Sequence, residues 1–241
     1  KEKQDYYLVP LLNAIAAFLS FAAALWIIKY RFKVKVEKVS ILDIRKVLID
    51  CRHGFISQLA PNLYNNSTVF ILGLFMGNSI VGFYTAATKV IEAMISIGII
   101  LSNTFLPYLS RDLKDHSKFF KLMFVVGIML TGSAVIFSEM IVQFLYGGGK
   151  SIIATYITML SPWVALIFFR NAIGVNYLML VGYEREYKNI IMYVSLVFFF
   201  LALFLIPMFG TYGAIVVING AAFFMAFFTY LSYLKIINVE R

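Results

Sequence analysis

The sequence predicts an all-α integral membrane protein with about seven transmembrane helices. Three observations predict it. The 241 residues are 61% hydrophobic and only 14% charged, where soluble domains run near a quarter charged. The mean hydropathy is +0.86. The charges are also segregated, which leaves apolar runs long enough to cross a bilayer. Such a chain is too rich in aliphatic and aromatic residues for disorder. A single cysteine, Cys51, excludes a disulfide scaffold. The net charge of +9 does not point to nucleic acid, because the basic residues sit in short loops between apolar spans.

Seven spans are predicted, over 8–28, 54–76, 80–106, 122–146, 152–182, 189–209 and 211–234. Runs such as "SLVFFFLALFLI" (195–206) do not alternate, so a transmembrane barrel is excluded. A helix pairs its own backbone amides, which hydrocarbon demands. Pro10 falls in the first turn of its span, Pro107 is expected to end the third, and Pro207 to close the sixth. Pro61 and Pro162 fall inside spans and should kink them. No cleavable leader is expected, since the first apolar run is long and a basic loop follows it, and the chain, which starts at Lys1, reads as a fragment.

Sixteen of the 21 Lys and Arg fall in 29–53, 107–121, 183–188 and the C-terminal tail. Three lie on the other side, and Lys89 and Arg170 lie inside spans. That asymmetry places the basic side in the cytoplasm, with the N-terminus outside and the C-terminus inside. Within 38–52, Ile41, Ile44, Leu48 and Cys51 share one helical face. This segment is expected to lie on the cytoplasmic surface as an amphipathic linker.

Polar side chains inside the spans are the candidate site, since each is costly in lipid. Gly82, Thr85, Lys89, Glu92, Ser96 and Asn103 recur at helical spacing and form one polar stripe on the third span. Lys89 and Glu92, three residues apart, can pair. The stripe either lines a hydrated cavity or glues helices through a neutralised pair. On the second span, Gln58, Asn62, Asn65 and Asn66 offer the same choice between lining and interhelical hydrogen bonding. On the fifth, Trp163, Arg170 and Tyr177 are seven residues apart and are expected to share a face with Gly174. Arg170 could meet a phosphate bidentately and the aromatic rings could stack on sugars. Snorkelling or a structural pair would serve Arg170 equally. Glu139, near the outer end of the fourth span, reads as structural or interfacial.

Other signals lead nowhere. "FLYGGGKS" (144–151) lacks the first glycine of a phosphate-binding loop. The sequons in "NNST" (65–68) lie inside a span. His53 and His116 are 63 residues apart, and Cys51 with His53 alone does not make a metal-ligand set. No cofactor, no metal and no nucleophile–base arrangement is expected, so the chain does not read as an enzyme.

"NLYNNSTVFILGLFMGNSIVGFYTAATKVIEAM" (62–94) resembles two consecutive helices of Wzx-type flippases, members of the polysaccharide transporter family of the MOP superfamily. It carries "ILG-x-F-x-G" followed by "VG-x-Y-x-A-A-x-K". "LPYLSR" (106–111), "FLYGGG" (144–149) and "LIPMFGTYGA" (205–214) resemble that family's helix exit, turn and last hairpin, in order. The resemblance implies twelve helices in two six-helix lobes around a central cavity. Residues 1–28 would be the last helix of the N-terminal lobe, 29–53 the basic linker and 54–241 the whole C-terminal lobe. It implies transport of an undecaprenyl-diphosphate-linked oligosaccharide across a bacterial inner membrane, for O-antigen, lipopolysaccharide, capsule or exopolysaccharide. The head group would cross a cationic cavity while the tail stays in the bilayer. An ion gradient, of protons or sodium, would drive it together with the missing N-terminal lobe. Lys89 falls on the family's "A-A-x-K" position. Other readings are a drug/cation antiporter or peptidoglycan-precursor flippase of the same superfamily, a membrane enzyme of polysaccharide assembly, and a seven-helix receptor. An antiporter of cations should have an acidic cavity. The short outer loops disfavour the last two.

Overall fold

The computed structural model describes residues 8–32, 40–44, 46–47, 66–147 and 151–240. Among the described residues every regular element is helical. Six helices among these residues are long and apolar enough to cross a membrane. The chain divides into two units, residues 1–52 and 53–241.

In the first unit, α1 spans Leu8–Tyr30. Its apolar residues surround the helix, as expected of a span in lipid rather than an amphipathic surface helix. Trp26 and Tyr30 lie 5.7 Å apart at its end, and Lys29 Nζ lies over the Tyr30 ring. That aromatic and basic finish suits a membrane–water boundary. In the linker, residues 41–44 are helical and the Ser40 hydroxyl accepts from the Leu42 amide. Leu48 and Cys51 lie outside the described residues.

The second unit begins, as described, with α2 (Asn66–Phe75). This is the later part of the predicted second span; Pro61, Asn62 and Asn65 lie outside the described residues. Then come α3 (Asn78–Leu109), α4 (His116–Ile136), α5 (Ser138–Tyr146), α6 (Ser151–Leu160), α7 (Pro162–Ile173), α8 (Glu184–Phe209) and α9 (Thr211–Glu240).

The helix ends correct several expectations. Pro107 does not end α3, which continues to Leu109. A proline near the C-terminal end disrupts only the turn before it. The basic stretch 107–121 is not all loop, because α4 starts at His116 and carries Lys118 and Lys121. Likewise α8 starts at Glu184, so Arg185 and Lys188 sit in its first turns. Pro162 breaks the fifth span as expected and becomes the first residue of α7. The predicted span 122–146 divides at Phe137, where no proline or glycine stands. There Ser133 donates to the Leu130 carbonyl and Ser138 to the Val135 carbonyl. Such back-bonding bends helices.

The core sits around α7, which packs against α3, α4 and α9. Phe168 is fully buried. A Cβ on Gly98 of α3 would approach its ring to 2.6 Å, and one on Gly127 of α4 would approach its Cβ to 2.8 Å. Two glycines therefore admit one large ring between three helices, the close approach on which membrane helices rely. α7 passes directly into a π-helical turn, Gly174–Leu178. Asn176 fastens this turn to α3: Ser102 Oγ donates to Asn176 Oδ1, and Asn176 Nδ2 donates to the Ser102 carbonyl at 3.0 Å. The outer faces of α8 and α9 expose Phe200, Phe204, Phe223 and Phe227, which suits contact with lipid.

Candidate polar site on α3

The polar stripe of the third span lies on the open face of α3. Gly82, Lys89, Glu92, Ser96 and Asn103 are exposed and Thr85 is half-buried. The opposite face, through Tyr84, Ala87, Thr88, Ile91, Ile95 and Gly98, is buried. Lys89 Nζ lies 2.7 Å from Glu92 Oε2, and the two side chains remain 74% and 47% exposed. The pair therefore does not join α3 to a neighbouring described helix. Both charges stay open on one side.

Beside the pair is a pocket of about 280 Å³ lined by Asn66, Val69, Tyr84, Thr85, Thr88, Lys89, Glu92, Trp163 and Ile218. It brings together five sequence-predicted residues, Asn66, Thr85, Lys89, Glu92 and Trp163. Thr85 and Thr88 spend their hydroxyl protons on their own helix, at the carbonyls of Val81 and Thr85. Two other donors are unspent. Tyr84 Oη and Trp163 Nε1 are buried and have no hydrogen-bond partner among the described residues. Leaving such a group unsatisfied costs about 1–3 kcal/mol. The site thus presents an open ammonium–carboxylate pair, with two unpartnered polar tips buried in the packing of its wall residues. That is equipment for holding an acceptor-rich group.

The remaining candidates lie elsewhere. Ser96 is one turn beyond Glu92 on the same face, with its hydroxyl donated to the Ala93 carbonyl at 2.6 Å. Arg170 does not line the pocket; its Nη1 meets Met225 Sδ at 3.0 Å, against α9. Tyr177 is also apart. Its ring lies 4.8 Å from that of His116 and 5.0 Å from that of Tyr233. His116 in turn donates from Nε2 to the Ala172 carbonyl at 2.9 Å. The shared face predicted for Trp163, Arg170 and Tyr177 fails at the π turn. An extra residue per turn rotates everything after Gly174 relative to a continuous α-helix. Asn62 and Asn65 lie outside the described residues, but their neighbour Asn66 lines the pocket. Sequence reasoning missed Tyr84 and Thr88. Their four-residue spacing beside Thr85 and Lys89 is the signal that could have found them.

Residues 2–113 match the family described as "Polysaccharide biosynthesis protein". The chain is also 23% identical, over 220 residues, to a candidate O-antigen transporter of Escherichia coli (strain K12). Both matches support the resemblance to Wzx-type polysaccharide flippases. The alignment covers 88% of this chain and 53% of that protein, so the chain spans about half the length of the curated relative it matches. No solved structure matches. The candidate spans describe a multi-pass membrane protein, similar over residues 2–113 to polysaccharide biosynthesis proteins.

Proposed function

We propose that this chain forms the C-terminal lobe, with one preceding helix and a linker, of a flippase for undecaprenyl-diphosphate-linked oligosaccharides. The lobe works by alternating access against an N-terminal lobe, in a bacterial cytoplasmic membrane. The observation that carries the reading is the open Lys89–Glu92 pair beside a pocket with two unspent buried donors. A diphosphate offers acceptors to the Lys89 ammonium, which keeps N–H bonds beyond the one given to Glu92. Fixed charge along the path lowers the cost of moving an anionic head group through a low-dielectric slab. The carboxylate is matched by a lysine at 2.7 Å, which disfavours an acidic drug-antiporter cavity. Transport here needs no covalent chemistry from the protein. An ion gradient supplies the driving force. The orientation follows the basic loops, with the linker and C-terminus cytoplasmic.

The test is glycan export in cells that lack their own flippase and express the whole transporter. Lys89→Ala is expected to lower export about tenfold with the protein still inserted, a change on the order of 1.4 kcal/mol. Lys89→Arg keeps more export, since charge governs a path more than shape. Unchanged export in Lys89→Ala would refute the reading.

A further inference from the structure

Lys89 belongs to two cavities at once. On one side is the polar pocket. On the other is a groove of about 450 Å³ between α3 and α5, walled by Val90, Met94 and Ile97 of one helix and Ile141, Leu145 and Tyr146 of the other. Its volume falls in the roughly 300–1,000 Å³ range of small-molecule sites. The groove is apolar along its length. Beyond Lys89 its one polar-tipped wall residue is Tyr146, which donates its hydroxyl to the Ala86 carbonyl at 3.1 Å and has no proton left to offer. Ile97 and Leu145 stay well exposed, so no described part of this chain covers the groove.

We propose that α3 divides a lipid-linked ligand at Lys89, holding its polar head in the 280 Å³ pocket and the first isoprene units of its tail in the α3–α5 groove. The proposal rests on the flippase reading above and adds to it a built seat for the tail, which that reading leaves free in the bilayer. Three observations select an amphiphile as the occupant. The two cavities share a lining residue, Lys89. The 280 Å³ pocket is bordered by the Lys89–Glu92 pair, Asn66 and two threonines, while the groove beyond Lys89 is walled by apolar side chains and a tyrosine whose proton is already spent. Lys89 carries three N–H bonds and Glu92 takes one, so its ammonium can also meet an anion at the junction. A covering protein helix would have to bring an anion and polar groups to one end of an apolar face. A polyprenyl diphosphate carries both halves in one molecule. The register of α3 explains the division. Lys89, Ala93 and Ile97 step by four, and each step of four drifts about 40° around the helix. The line therefore leaves the polar stripe at Lys89 and enters the groove.

The test uses the chain in nanodiscs and a polyprenyl diphosphate with a diazirine on an isoprene near the head. Photolabel is expected on peptides containing 90–97 and 141–146. Ala93→Trp, on an exposed position, fills the groove and should cut that label about tenfold. Ile97→Gln gives a second variant with little change of volume and should cut it severalfold. Phe200→Ala, on the lipid-facing side of α8, should leave it unchanged. A neutral diazirine polyprenol should label the same peptides, with inorganic diphosphate failing to displace it. Label spread evenly onto α8 and α9, or unchanged in both groove variants, would overturn the proposal. Export separates the two readings. If Ala93→Trp and Ile97→Gln export normally while Lys89→Ala does not, the tail seat fails and the flippase stands. If groove labelling behaves as expected while Lys89→Ala exports normally, the transport reading fails and the lipid site stands.

Discussion

Two regions of the second unit carry charge at membrane depth, and they treat it differently. On α3, Lys89 and Glu92 pair with each other and stay open. On α7, Arg170 is half-buried, with its Nε unpartnered among the described residues and its Nη1 turned to a methionine sulfur. Both positions look alike in a hydropathy profile. What separates them is the neighbour. α3 packs one face against α6 and α7 and leaves its polar face open to meet something else. α7 is the central strut, wedged among α3, α4 and α9, and has little free face. A charge within a span is therefore a candidate for function when its helix face is open, and for packing when that face is enclosed.

The largest break in this comparison should come from α7. Phe168→Ala removes the ring seated against Gly98 and Gly127 and should cost about 3–5 kcal/mol. Thermal unfolding in detergent is expected to shift well downward, and export should fall with the amount of folded protein. A variant that unfolds normally would show that α7 is not the strut. A smaller, opposite split is expected in the polar pocket. Tyr84→Phe and Trp163→Phe each delete a donor that has no described partner, so stability should hold or rise slightly. Export should fall severalfold in each. Loss of stability without loss of export would return both residues to the core. The smallest effect is expected at Arg170. Arg170→Met keeps the contact with α9 in apolar form, and export per folded molecule should stay within about twofold. A loss as large as that of Lys89→Ala would put Arg170 back on the substrate path.

The sequence made the spans legible because hydrocarbon imposes a crude and strong rule on composition. It made the α3 stripe legible for the same reason: Thr85, Lys89, Glu92 and Ser96 stand out against apolar neighbours. The starts of α4 and α8 were less legible. Their first turns carry Lys118 paired with Asp115 and Lys188 paired with Glu184, and charged turns read as loop. The bend at Phe137 has no proline or glycine to announce it. The π turn at Gly174–Leu178 was invisible, and with it the displacement of Tyr177 from the face of Trp163. That turn depends on tertiary contacts. Asn176 bonds Ser102 from 74 residues away, and Gly174 leaves room for the Tyr187 ring, which a Cβ would meet at 2.1 Å. The unspent donors were equally hidden. Tyr84 and Trp163 count as apolar in any profile, and only packing shows that their polar tips lack partners.

The central claim is that the Lys89–Glu92 pair serves the path of the substrate and not the packing of the lobe. The measurement that tests it most directly is a double-mutant cycle on export, with protein level and thermal unfolding followed in parallel. Lys89→Ala and Glu92→Ala are each expected to lower export with little change in unfolding, as befits an exposed pair. The double variant should export no better than Lys89→Ala alone, because the cation is still missing from the path. Full recovery of export in the double variant would contradict the account and leave mutual neutralisation as the whole role of the pair.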